Sequence, residues 1–346
     1  MPPRTSLFTI ETIFDQQRNF VRQPLSVIDF ATVRKNQSVG ESFADSVTLA
    51  REAERLGYTR IWYAEHHNMA TIASSAPAVL ISHIASKTDS IRLGAGGVML
   101  PNHSPLTIAE QFGTLAELYP GRIDLGLGRA PGTDPRTLQA LRRTPQSAEN
   151  FPQDVKELQG YLTGNSRIPG VSAVPGANTN VPLTILGSSL FGAQLAASYG
   201  LTYGFASHFA PDALVDAVNT YRAQFQPSEQ LAEPYVIAAA NVIVSEDPED
   251  AARQLEATQR ARVRMMVGRG REFTEDEMDM VMASPAAQQI LHMLKYTAVG
   301  TPETVVDYLE GFARHADADE LMISPVATRQ EDVLKGMELL ANAWHK

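Results

Sequence analysis

Residues 91–128, IRLGAGGVMLPNHSPLTIAEQFGTLAELYPGRIDLGLG, decide the fold. Two apolar runs, 91–100 and 122–128, flank a stretch with helical punctuation. Ser104 stands in the N-cap position and Pro105 in the first helical position, while Ile108, Phe112, Leu115 and Tyr119 share one face. A strand, a helix and a second strand, with both strands apolar on both faces, make a βαβ unit of a parallel sheet covered by helices.

The same alternation extends in both directions. Further candidate strands lie at 25–33, 59–64, 182–187, 201–207, 234–245 and 319–324. Between 41 and 57, Val47, Ala50, Ala53 and Leu56 recur at helical steps and Gly57 ends the pattern. Other helices are expected at about 74–87, 148–162, 189–199, 211–225, 248–267, 302–315 and 329–343. Eight strand-then-helix units predict an α/β protein, a single (β/α)8 TIM barrel, in preference to an open doubly wound sheet. Two insertions break the rhythm: the Pro/Gly/Asn-rich 165–182 before strand five, and the charged, Met-rich 268–289 between strands seven and eight. The second reads either as a lid whose methionines touch an apolar ligand or as a short helix with a buried methionine side. Residues 1–23 read as an arm or extension, and 24–346 as the barrel domain.

Composition narrows the function. With 44% hydrophobic and 20% charged residues the 346-residue chain can bury a large core. A net charge of -10, with no basic run interleaved with aromatics, argues against nucleic acid. The absence of cysteine removes disulfides, thiolate nucleophiles and cysteine metal sites. No signal peptide or membrane-length apolar run is evident, so a cytoplasmic protein without a membrane partner is expected.

In a (β/α)8 barrel, chemistry gathers at the C-terminal ends of the strands. Unusual polar residues do fall there: Glu65, His66, His67 and Asn68 after strand two, Asn102 and His103 after strand three, and Arg129 after strand four. Ser188 and Ser189 follow strand five, and Ser207 and His208 follow strand six. Adjacent His66 and His67 lack the spacing that aims two imidazoles at one metal, so no metal is expected, and one of them either packs at the rim or moves protons. Arg129 after two glycines, and the serines at a helix start, each suit a phosphate, although capping alone explains one serine. Gly96 and Gly97 inside a strand mark a bend needed for closure or a place where a flat ligand meets the backbone.

The segments WYAEHHNM, GAGGVMLPNHSPLTIAEQFGTLAELYPGRIDLGLGRAPGTDP and LGSSLFGAQLAASYGLTYGFASHFAP resemble the bacterial luciferase-like flavin monooxygenases, most closely the single-component-type subgroup, from about residue 24 onward. The resemblance implies a (β/α)8 barrel that takes reduced FMN, supplied by a separate flavin reductase, and molecular oxygen to oxidise a small organic substrate, in a homodimer. It implies a proton-transferring histidine at His66, a cis peptide under the flavin at Gly96–Gly97, a phosphate-gripping arginine at Arg129 and a phosphate-binding serine at Ser188. Asn102 and Ser189 are expected beside the cofactor. Two departures stand out: luciferase has a cysteine where this chain has Gly128, and an Ala-Ala platform where it has Gly-Gly. The rival readings are a deazaflavin-dependent dehydrogenase of the same barrel, a non-catalytic flavin-binding protein, and a hydrolase with paired carboxylates.

Overall fold

Strand β1 (Leu25–Asp29) is followed by helix α1 (Val39–Arg55), β2 (Arg60–Tyr63), α2 (Pro77–Ala85), β3 (Arg92–Met99), α3 (Pro105–Leu118) and β4 (Ile123–Gly128). A longer connection with α4 (Pro135–Ala140) and α5 (Phe151–Leu162) leads to β5 (Leu183–Gly187), α6 (Leu190–Tyr199), β6 (Thr202–Phe205) and α7 (Leu214–Gln224). The chain finishes with β7 (Val236–Val244), α8 (Pro248–Gly268), α9 (Glu275–Met282), α10 (Pro285–His292), β8 (Thr297–Gly300), α11 (Pro302–His315), β9 (Glu320–Pro325) and α12 (Gln330–Trp344). This computed structural model describes residues 22–346 except 131, 269, 270 and 272, so nearly all of the expected arm lies outside the described residues.

Closure follows from the ladders. β1 to β6 pair in sequence order, β6 pairs with β7, β7 with β9, and β9 with β1, all in parallel. These eight strands form the expected (β/α)8 barrel. β8 is an addition that the sequence reading did not contain. It pairs with Asn241–Val244 of β7, beyond Ala238, where the pairing with β6 ends. Its four residues, Thr-Ala-Val-Gly, are too short to show a period and follow a charged insertion.

Local chemistry sets the helix ends. Ser104 accepts from the Thr107 N–H and Pro105 opens α3, whose buried residues include Ile108, Phe112 and Leu115. Ser38 and Glu41 cap α1 reciprocally. The 165–182 insertion contains no helix or strand. The 268–289 insertion is mainly α9 and α10. Its methionines do not line the barrel cavity: Met278 is buried with Val263, Ala287 and Ile290 in a satellite core, and Met280 is exposed. No described helix is long and apolar enough to cross a membrane.

The expectation of strands apolar on both faces fails at the barrel floor. There the N-terminal ends of the strands place an ion network inside. Asp124 accepts from Arg60 at 2.7 Å and from Arg92, while Glu320 accepts from Arg60 at 3.0 Å and from the Tyr235 hydroxyl at 2.9 Å. Ile28, Trp62, Ile237, Ala239 and Met322 form the apolar layer above it. The floor is therefore sealed by charge and then by hydrocarbon, leaving space only at the C-terminal mouth.

Candidate active site

β2 delivers Glu65, His66 and His67 to the mouth, where the two faces of the chain have different tasks. Glu65 is fully buried, and its Oε1 lies 2.8 Å from Nε2 of both His67 and His103. Its Oε2 accepts the Met99 N–H at 3.0 Å. Burial raises the Glu65 carboxyl, but the hydrogen bonds from His103, His67 and Met99 outweigh it and hold the group below the usual range. Glu65 is thus an ionised clamp tying β2 to β3. It has no surface on the cavity, so a hydrolase with paired carboxylates loses its acid.

His66, one residue on, lies on the opposite side and lines the cavity. Its backbone N–H donates to Ser74 at 2.9 Å, its ring lies 5.9 Å from that of Phe30, and its buried Nδ1 has no partner. Burial lowers its pKa; Glu65 opposes this, and His67 and Arg262 add to it. The imidazole is neutral at pH 7, with one nitrogen able to accept a proton. Among the described residues no group of acidic and histidine side chains suits a metal.

His208 comes in from β6. Its ring lies 6.2 Å from Phe30, Asn241 holds its backbone oxygen at 2.7 Å, and both buried ring nitrogens lack partners. Burial, then Arg262 and His66, push its pKa down to about 3. Because the folded value lies below the ordinary 6.5, the unfolded chain binds the proton more tightly, and stability falls as pH drops through this window. Lowering the pH from 7 to 5 is expected to cost about 2 kcal/mol through His208. Denaturant titrations at both pH values should show the loss and its near disappearance in His208→Gln; an equal loss in the variant would place the effect elsewhere.

The cavity has a volume of about 320 Å³. Phe30, Trp62 and Leu186 give it apolar walls, and Gly96 and Gly97 open part of its lining to backbone. The Gly96–Gly97 peptide is cis, and the β3–β4 register shifts there. A Cβ on Gly96 would lie 2.9 Å from Trp62 Cβ, and one on Gly97 would lie 2.6 Å from the Gly126 oxygen. Packing alone therefore demands both glycines. At Gly128, the position of the luciferase cysteine, a Cβ would press on Met99 Sδ at 2.8 Å.

At the β4–β5 arc of the rim, Arg129 is exposed and its guanidinium lies 4.1 Å from the centre of the Phe191 ring. Ser188 and Ser189 also line the cavity. Ser189 occupies the N-cap of α6 but makes no capping hydrogen bond, so the capping explanation of that serine is not realised. The helix start keeps donors and positive potential for an anion. His66, Gly96, Gly97, Arg129, Ser188 and Ser189 thus share one cavity. Asn102 does not line it. Buried after β3, Asn102 lines a neighbouring cavity of about 300 Å³ that also touches Arg129. Phe30, Trp62 and Phe191 also line the cavity, and sequence reasoning missed them because aromatic character alone does not separate wall from core.

A family model described as luciferase-like monooxygenase matches residues 24–318. An Escherichia coli (strain K12) protein named luciferase-like monooxygenase is 46% identical over 302 residues, covering 86% of this chain and 90% of that protein. The Bacillus subtilis protein YvbT is 44% identical over 324 residues, covering 92% of this chain and 96% of its own length. The crystal structure of apo-MsnO8 superimposes with a TM-score of 0.84 at 35% identity, over 94% of this chain and 99% of that one. Matched over most of its length by the family model and by these relatives, the chain belongs to the luciferase-like monooxygenases.

Proposed function

We propose that the cavity seats reduced FMN and that the enzyme uses molecular oxygen to oxidise a small organic substrate beside it. The observation that carries this reading is the joining of two sites in one cavity. Arg129, Ser188 and the uncapped start of α6 offer a phosphate seat at the β4–β5 arc, and His66 stands neutral on the β2 side. The residues present fit a flavin: Gly96 and Gly97 present backbone for a flat ring, apolar walls exclude water, and the buried Nδ1 of His66 has no partner of its own. Bound there, reduced flavin supplies the electrons for oxygen chemistry. Arg129 and the α6 amides would hold the phosphate, the glycines would support the ring, Phe30 and Trp62 would keep water out, and His66 would accept and return a proton at Nδ1. A separate reductase would deliver the cofactor.

The experiment is a titration of the protein with FMN, reduced FMN, riboflavin and the deazaflavin coenzyme, followed by absorbance after the reduced complex meets oxygen. Accelerated oxygen consumption with FMN supports the monooxygenase; preference for the deazaflavin, or FMN binding without oxygen chemistry, overturns it. Arg129→Ala is expected to weaken FMN by about 10- to 100-fold, the loss of a charge-assisted hydrogen bond, while riboflavin binding stays the same. Equal loss for both ligands would remove Arg129 from the phosphate.

A further inference from the structure

The second cavity, of about 300 Å³, has no occupant in the flavin reading, yet it shares a wall with the first. Met99 and Ala130 border the first cavity, whereas Pro101, Asn102 and Thr133, a few residues further along the same two segments, border the second. Arg129 borders both. Its guanidinium lies over the Phe191 ring and makes no ion pair or hydrogen bond with a described residue, so its fork of donors is open to a ligand. Ser188 and Ser189 border the first cavity only. A phosphate held between Arg129 and the start of α6 therefore lies at the boundary of the two spaces, and FMN ends there.

The second cavity has its own chemistry. Pro101, Pro135 and Leu138 give it apolar faces, while Thr133, Thr144 and Ser147 bring hydroxyls. Among the described residues that line it, Arg129 alone carries a charge. Apolar faces with a few neutral hydrogen-bonding groups suit a flat base and a ribose, whereas a polyanionic tail calls for several positive charges. The volume lies at the lower end of the roughly 300–1,000 Å³ that small-molecule pockets span.

We propose that the second cavity is a nucleoside site that takes the adenosine half of FAD while the flavin half lies in the first cavity, so that the enzyme accepts reduced FAD as well as reduced FMN. Arg129 donates to the pyrophosphate between the two halves, as a planar guanidinium is shaped to do. Asn102 then meets the nucleoside and not the flavin. This rests on the reading of the first cavity as the flavin chamber. The test is calorimetric titration of FMN, FAD, AMP and ribose 5-phosphate into the native protein and into Ala148→Trp and Ala148→Leu, which fill the second cavity from its wall. FAD is expected to bind the native protein within about tenfold of FMN or more tightly. Ala148→Trp should weaken FAD relative to FMN by about tenfold or more, because the indole stands where the base lies, and Ala148→Leu by a smaller factor. AMP should bind more tightly than ribose 5-phosphate, which lacks the base. FAD binding weaker than this in the native protein overturns the assignment, as does an FAD-to-FMN ratio unchanged in both variants, or AMP that binds no more tightly than ribose 5-phosphate. The last comparison needs only the native protein, so it decides even where both variants fail to fold. Failure of the native protein to bind either flavin would sink the flavin reading alone, because AMP against ribose 5-phosphate still tests the second cavity.

Discussion

Replacing His66 with asparagine is expected to lower oxygen-dependent turnover by about 10²- to 10⁴-fold, the range for losing a positioned general acid–base. Asparagine fills similar space and keeps hydrogen-bonding groups, but it neither accepts nor returns a proton at pH 7. Every other part of the cavity stays in place, because the clamp around Glu65 uses His67 and His103 and leaves His66 out. FMN affinity should therefore hardly change, and the loss should fall on turnover. The pH profile gives an independent check. Burial keeps the His66 pKa below 6.5, so the proton-accepting form dominates at neutral pH and its titration lies on the acid side of 6.5. Product formation from reduced FMN and oxygen, measured against pH, should lose an acid limb in the variant. A turnover rate equal to that of the native enzyme would remove His66 from the chemistry.

The second large effect lies at the other end of the barrel. Asp124→Ala is expected to destabilise the fold by about 3–5 kcal/mol, the cost of removing one partner from a buried ion pair. Asp124 is the acceptor that Arg60 and Arg92 share. Without it, two guanidinium groups face the single carboxylate of Glu320. The Arg92 side chain is 37% exposed and can turn to water, but that of Arg60 is 13% exposed, between β1, β9 and the Trp62 layer. Denaturant unfolding measures the loss. A change below about 1 kcal/mol would mean that water already screens the floor as it screens surface pairs.

Much of the fold was legible because its signals are local. An N-cap serine before a proline, a four-residue apolar rhythm and short doubly apolar runs act over distances the chain covers in one element, and they placed nine of the helices and all eight barrel strands. β8 was missed because four residues carry no period, and its partner is the far half of β7. The floor network was missed for a different reason. Arg60 at the start of a strand reads as a solvent residue until closure brings Glu320 beside it, 260 positions away.

The candidate site divides in the same way. Adjacent Glu65, His66 and His67, the glycine pair, Arg129 and the serines after strand five stood out as unusual residues at strand ends, and alternation in an extended chain already separated His66 from His67. What alternation does not say is which of the two faces the cavity. That was decided by the Glu65 carboxylate, whose second imidazole arrives from 38 residues away. By itself, the sequence determined which residue types reach the barrel rim, because the period of strand and helix is a property of the local backbone. Only the tertiary structure decided which of them are ionised, paired or left without a partner, because desolvation and charge pairing depend on neighbours that the chain brings together from distant positions.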